Sequence, residues 1–311
     1  MKRIARKNAN SVLALTLLLL TISGPSNGAL SVTPSEVQFV DHSLLVAPEF
    51  PCTWPNIFPL FHINHYLRIG PLSPYNSDII TLDENTGSQF DSPAHGPVPG
   101  QTAMITPEKV PIWQFTGEAC VIDVRHLLDD SALGQSPLIK KEHIVSWEQK
   151  NRSLGAGDVV LFHSGYSDRY YQPLPAGRRF IAKPVEGKSQ AWPAPDPEAM
   201  DYLGSLGVMT AGTDGVSRGP IGPLVLETHA AGLKYGMIWA EGVTNLGNIP
   251  TVGAFYSQLP PKHGGGIGAE IRAFTVVGSP LAKWLVNAAR GKRFLDLSVQ
   301  LSENLPVWWP G

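Results

Sequence analysis

Short apolar runs alternating with helical stretches constrain this chain more than any other feature. Strands are predicted at residues 79–82, 119–124, 158–163, 208–213, 234–239 and 271–277, each short, apolar and bounded by Gly, Pro or Asp. Helices are predicted between them at 140–151, at 196–206 with Pro197 in the first turn and Gly207 at the end, and at 224–233, with a last helix after the final strand at 279–289. That order predicts an α/β fold, a mixed sheet covered by helices. Residues 31–69, rich in Pro and aromatics without helical spacing, predict short extended segments. Residues 177–195, with Arg178, Arg179, Lys183 and Lys188 and no period, predict an exposed insertion.

A length of 311 residues, 43% of them hydrophobic and 16% charged, suits one large domain or two small ones and argues against disorder. Residues 1–28 differ: Lys2, Arg3, Arg6 and Lys7 precede the apolar run 12–22, and Ser26 and Gly28 are small residues before a cut. This pattern predicts a secretory signal, too short for a stable membrane span, followed by a domain at 29–295 that is secreted or periplasmic. Cleavage would remove four cations from a chain whose formal charge is already -2. A mildly acidic mature protein has no electrostatic ground for binding nucleic acid or an anionic membrane. Cys52 and Cys120 could pair in an oxidising compartment, but Cys120 stands in a buried-strand pattern where a free thiol acts as a small apolar side chain.

The densest chemistry lies at residues 83–95, Asp-Glu-Asn-Thr-Gly-Ser-Gln-Phe-Asp-Ser-Pro-Ala-His, which reads as irregular chain leaving a strand. Asn85, Gln89, Asp91 and His95 can offer two amide oxygens, a carboxylate and an imidazole to one point, the outline of a divalent-cation site. A second group is Glu227, His229 and Glu241, with His229 on a predicted helix and Glu241 just past a predicted strand. Alone, a helix-face histidine and a strand-end acid are ordinary surface or satisfied groups. Gly215-Val216-Ser217-Arg218-Gly219 matches the nucleophile elbow of serine hydrolases, but Pro220, Gly222 and Pro223 prevent the helix that an elbow needs directly after its serine.

Together these stretches resemble the metal-dependent cyclase family of kynurenine-formamidase-like (arylformamidase-like) hydrolases, whose signature is His-x-Gly-Thr-His-x-Asp-x-Pro-x-His. Residues 85–95 keep its spacing and its Gly, Asp, Pro and last His, with Asn85 and Gln89 at its first two histidines. His229 and Glu241 keep the spacing of its second His and Glu, residues 241–246 resemble its Glu-Asn-Leu-x-Asn-Leu, and residues 212–217 resemble its Gly-x-Asp-x-x-Ser turn. The resemblance covers about residues 38–280. It implies a swivelling β/β/α fold, a homo-oligomer, and hydrolysis of a carbon–nitrogen bond in a small amide, lactam or formamide. It implies metal ligands at Asp91, Gln89, Asn85, His229 and Glu241, with His95 as general acid and base. Amide oxygens in place of two imidazoles leave manganese or zinc, and one ion or two, open. Two other readings of the same resemblance are a small-molecule-binding protein that has lost catalysis, and a metal-dependent lyase or ring-forming enzyme.

Residues 41–55 align without a gap on residues 296–310, with identity at Asp41 and Asp296, Ser43 and Ser298, Pro51 and Pro306, Trp54 and Trp309, and Pro55 and Pro310. The tail 296–311 therefore resembles the start of a second copy of the domain. It is expected to lie outside the core, extended along an edge or exposed.

Overall fold

A computed structural model describes residues 37–55, 59–96 and 105–304. The predicted signal and the end of the tail lie outside the described residues. In chain order the strands are β1 (Gln38–Asp41), β2 (His62–Leu67), β3 (Ser77–Thr81), β4 (Gln89–Asp91), β5 (Thr116–Asp123), β6 (Leu138–Ile139), β7 (Asp158–His163), β8 (Ala194–Pro195), β9 (Thr210–Thr213), β10 (Ile238–Glu241), β11 (Ala254–Leu259), β12 (Gly268–Glu270) and β13 (Arg272–Val277). The α-helices are α1 (Lys141–Lys150), α2 (Tyr166–Tyr170), α3 (Ala182–Val185), α4 (Pro197–Ser205), α5 (Val225–Leu233) and α6 (Leu281–Arg290).

Nine strands form one mixed sheet in the order β1-β13-β11-β5-β7-β9-β10-β4-β12. Its centre, β5, β7, β9 and β10, is parallel, and antiparallel strands flank it on both sides. β7 is buried along its whole length because helices cover one face and antiparallel strands and loops the other. Side-chain alternation divides the core accordingly. Cys120, Ile122, Val160, Phe162, Ala211 and Trp239 pack with Trp147 of α1, Met200 and Leu203 of α4 and Ala231 of α5. Ala119, Val159, Leu161, Ile238, Ala240 and Phe90 pack on the opposite face with Phe115 and Tyr256. The predicted helices form within a residue or two of their expected ends. Asp196 caps α4 by accepting the Ala199 N–H at 2.8 Å, and Trp147 anchors α1 by donating its indole N–H to Val121 O at 2.8 Å.

Four expectations change. Residues 89–91 are not irregular chain but a strand, paired on one side with β10 and on the other with β12; three residues are too few to show a period, and Pro93 follows at once. The predicted strand at 79–82 is the second arm of a separate hairpin, β2–β3, whose Ile79 and Ile80 are exposed. The predicted strand at 234–239 begins later, at Ile238, because Gly236 adopts a left-handed φ of 74° that closes α5. Residues 177–195 are no exposed insertion: they carry α3 and β8, and Trp192 is fully buried among Tyr166, Phe180, Ile181 and Val216. Charge at Arg178, Arg179, Lys183 and Lys188 hid the apolar half of that segment.

Cys52 and Cys120 are both buried free thiols. The described part of the tail lies along the loop before β12: Leu301 N–H donates to Lys262 O at 2.8 Å, and Gly264 N–H to Leu301 O at 2.7 Å. Leu295, Leu297 and Val299 are exposed there. No helix among the described residues is long and apolar enough to cross a membrane.

Candidate active site

The position of β4 beside β10 builds the site. The register pairs Gln89 with Glu241 and Asp91 with Trp239, and paired residues of antiparallel strands share a face, so Gln89, Asp91, Glu241 and Trp239 all project to one side. Ser88 fixes the strand's entry by donating its hydroxyl to Gly242 O at 2.6 Å and accepting the Leu44 N–H at 2.8 Å. Gly242 has a φ of 64°, and a Cβ there would come within 2.8 Å of Gly87 O; only glycine allows this approach. Beyond Asp91 the chain turns, with His95 N–H donating to Ser92 O at 2.9 Å, and this brings the imidazole back over the strand.

His229 arrives from α5. Its ring needs Gly219, where a Cβ would sit 2.4 Å from His229 Cε1. Its Nδ1 donates to Val225 O at 2.6 Å, which fixes the tautomer and leaves Nε2 with a free lone pair. Burial, reinforced by the Arg218 guanidinium, pushes its pKa down to about 4, so the ring is neutral at physiological pH. The rings of His95 and His229 stack with centroids 5.9 Å apart. Asp91, His95 and His229 each offer one donor atom, and these atoms lie within 4.8 Å of one another, the compactness of a metal centre.

Of the other residues expected at the site, Gln89 and Glu241 are beside this triad and bonded to each other through Gln89 Nε2 and Glu241 Oε2. The remaining Glu241 oxygen accepts the Arg218 N–H at 2.7 Å and the Ser217 hydroxyl at 3.3 Å. Burial, with Asp91 nearby, raises the Glu241 pKa well above the usual carboxylate range. Asn85 is bonded otherwise: among the described residues its amide N–H donates to Asp83 Oδ1 at 2.8 Å, not to a member of the cluster. Ser217, the serine of the apparent elbow, accepts the Gly219 N–H at 3.0 Å while it donates to Glu241, and so serves to hold that acid.

A residue that the sequence did not single out completes the cluster. Arg218 is fully buried, with Nη2 3.2 Å from Asp91 Oδ2, and its guanidinium lies 5.9 Å from the Trp239 ring. Its signal was present as a lone cation between a serine and a Gly-Pro pair, in a stretch judged only for its serine. Orphaned groups gather here. Gln89 Oε1, both Asp91 oxygens, His95 Nδ1, all three Arg218 side-chain nitrogens and Trp239 Nε1 are buried without a hydrogen-bond partner. Native structures leave few such atoms, so a concentration of them marks a place where something polar binds. The acceptors among them, with His229 Nε2, fit one divalent cation. The donors face it with a fixed positive charge.

Asp214, within the Gly-Thr-Asp-Gly-Val-Ser stretch, organises the neighbouring strand ends. Its carboxylate accepts the N–H groups of Ser164, at 2.8 Å, and Gly165, at 2.6 Å, and thereby ties the end of β7 to the end of β9. The parallel strands thus present their carboxyl ends on the side where ligands bind in such sheets.

Comparison with known proteins agrees with this fold. The Cyclase family model matches residues 32–219. An isatin hydrolase of Roseibium aggregatum is 25% identical over 239 residues, covering 75% of this chain and 86% of that protein. The crystal structure of an isatin hydrolase bound to the product analogue thioisatinate has the same fold, with a TM-score of 0.67, 21% identity, and coverage of 79% of this chain and 94% of that one. A potential metal-dependent hydrolase with cyclase activity superposes with a TM-score of 0.55 at 19% identity, over 78% of this chain and 99% of its own. The match over more than half of its length, on the strands and turns that assemble Asp91, His95 and Arg218, shows that this chain belongs to the Cyclase family.

Proposed function

We propose that the protein is an exported hydrolase that opens a carbon–nitrogen bond in a small cyclic amide, lactam or aryl formamide, with one divalent ion, manganese or zinc. The observation that carries this reading is the convergence of Asp91, His95 and His229 on one point amid orphaned buried acceptors. Asp91, His229 through Nε2 and Gln89 through Oε1 would hold the ion. When bound, it supplies a Lewis acid that polarises the amide carbonyl and lowers the pKa of water.

The chain's own groups do the rest. His95 is the more exposed of the two imidazoles, and its Nδ1 stands 3.6 Å from Asp91 Oδ1, too far to be tied by a hydrogen bond. It is therefore free to take the proton of the attacking water and deliver it to the leaving nitrogen. Glu241 keeps Gln89 and the Arg218 backbone in place and so positions the acceptors around Asp91. The name of the isatin hydrolase relative makes isatin, a cyclic amide, the first substrate to try. Export and self-association belong to the same proposal, supported by the composition of residues 1–28 and by the family resemblance.

The test is metal analysis of the mature protein, followed by hydrolysis assays on isatin, simple lactams and aryl formamides with and without chelator. Turnover abolished by chelator and restored by manganese or zinc is expected. No hydrolysis of any of them with either metal would favour the second reading, a binding protein on this fold, for which the Arg218–Asp91 contact is the specific ground.

A further inference from the structure

We propose that Arg218 is the resident cation of this site and sets how tightly it binds a divalent metal. The proposal rests on the reading of the Asp91 cluster as a cation site. Its geometry is independent of any substrate.

Asp91 is nearly inaccessible to water and is the sole carboxylate of the triad. One of its oxygens lies 3.2 Å from Arg218 Nη2 and the other 3.6 Å from His95 Nδ1. An ion held by Asp91 must therefore share that carboxylate with a guanidinium, which stays protonated at any pH a protein survives. Like charges repel strongly where water cannot screen them, and Arg218 is fully buried. Among the described residues Asp91 is the one carboxylate within ion-pair distance of the guanidinium, and all its nitrogens lack a hydrogen-bond partner.

Two other features act in the same direction. Gln89 supplies an amide oxygen, a weaker ligand for a transition metal than an imidazole nitrogen, and its Nε2 is committed to Glu241. Glu241, a second carboxylate, has both oxygens turned to Gln89, Ser217 and the Arg218 backbone N–H rather than to the guanidinium itself. The site thus carries a permanent positive charge in the place where its acceptors would otherwise concentrate on the metal. Metal affinity is lowered by charge as well as by ligand type.

Calorimetric titration of the chelator-stripped mature protein with Mn²⁺ and Zn²⁺ tests this without reference to turnover. Arg218→Met, which keeps the length of the stem and removes the charge, should bind each ion at least about 10-fold more tightly than wild type, whereas Arg218→Lys should stay within about 3-fold of it. Unchanged or weaker binding in Arg218→Met, or equal tightening in both variants, would overturn the proposal. Near-UV circular dichroism checks that each variant is folded. Should Arg218→Met fail that check, Gln89→His in the presence of Arg218 decides: a gain below about 3-fold supports the guanidinium as the limiting feature, and a gain of 10-fold or more refutes it. A gain of metal affinity in Arg218→Met beside a wild-type protein that hydrolyses no amide with either metal would sustain this inference while removing the hydrolase reading. Turnover with wild-type metal affinity unaffected by Arg218 would do the reverse.

Discussion

The sheet carries two clusters of charge around a buried aspartate, and they are built on opposite principles. At the amino ends of the parallel strands, Asp158 of β7 accepts both terminal nitrogens of Arg152 at 2.7 and 2.9 Å and the Gly155 N–H at 3.0 Å. Arg290 reaches Glu118 at 2.5 Å and Asp158 at 3.1 Å, and Arg152 also lies 2.9 Å from Glu118. None of those charged atoms is among the orphaned ones. The second cluster, on β4 and past the carboxyl end of β9, leaves Asp91 and Arg218 facing each other with every polar atom of their side chains lacking a hydrogen bond. A buried charge without partners costs several kcal/mol. The first cluster avoids that cost by saturating itself. The second bears it, as sites do whose partners arrive from outside.

The largest effect should separate the two at the level of chemistry. His95→Ala is expected to lower turnover about 100- to 10,000-fold, the usual contribution of a positioned proton carrier, while the unfolding free energy changes by less than about 1 kcal/mol because the ring is partly exposed and makes no hydrogen bond through Nδ1. Metal affinity in this variant decides between the two roles the triad allows. Binding retained within about 10-fold fits a proton carrier, whereas complete loss would make His95 a ligand and leave the acid–base role unfilled.

The reverse experiment acts on the saturated cluster. Arg152→Met leaves Asp158 buried with Arg290 as its remaining cation at 3.1 Å, and because Arg152 is 32% exposed stability should fall by about 1 to 2 kcal/mol, between the value of an exposed pair and that of a fully buried one. Urea unfolding measures it. Turnover per folded molecule should be unchanged, since this cluster sits at the opposite ends of the strands. A stable variant with impaired turnover would erase the distinction between the two clusters.

The same contrast explains what could be read from the sequence. Helices α1, α4, α5 and α6 were legible because their apolar spacing, first-turn Pro and terminal Gly are local features. β5 and β7 were legible because their central runs, Ala119 to Ile122 and Val159 to Phe162, are apolar and buried on both faces. β4 was not, because three residues carry no period and its burial depends on β10 and β12, which pair with it from 148 and more positions away. Asp91, His95, His229 and Glu241 could be listed from spacing and resemblance, and the structure brings them together. Arg218 could not be weighed, since nothing local says that a cation will be buried beside Asp91 rather than exposed. The surroundings of Trp192 were missed for the opposite reason, charged neighbours that face outward while it faces in.

The smallest effect concerns a buried polar group of the satisfied kind, His42, just beyond β1. Its Nδ1 donates to Thr244 O at 2.6 Å, and its Nε2 accepts from the Thr275 hydroxyl at 3.0 Å, so the neutral ring has both nitrogens occupied. Burial lowers its pKa below the ordinary value near 6.5, against smaller opposing contributions from Thr244 O, Asp41 and Asp168. The folded state therefore binds a proton less readily than the unfolded chain. Stability due to this group is fully present above about pH 6.5 and is lost as pH falls towards the folded pKa, at no more than about 1.4 kcal/mol per pH unit. His163, also lowered by burial, and His229 contribute in the same sense, so the wild-type slope alone does not isolate His42. The difference between wild type and His42→Asn does. Melting temperatures of chelator-treated protein between pH 7.5 and 5.5 should fall less steeply in the variant, although its melting temperature at pH 7.5 is lower because the bond to Thr275 or Thr244 is lost. Parallel slopes would mean that His42 accepts a proton in the folded state at its ordinary pH, and that two hydrogen bonds do not suffice to keep a buried ring neutral here.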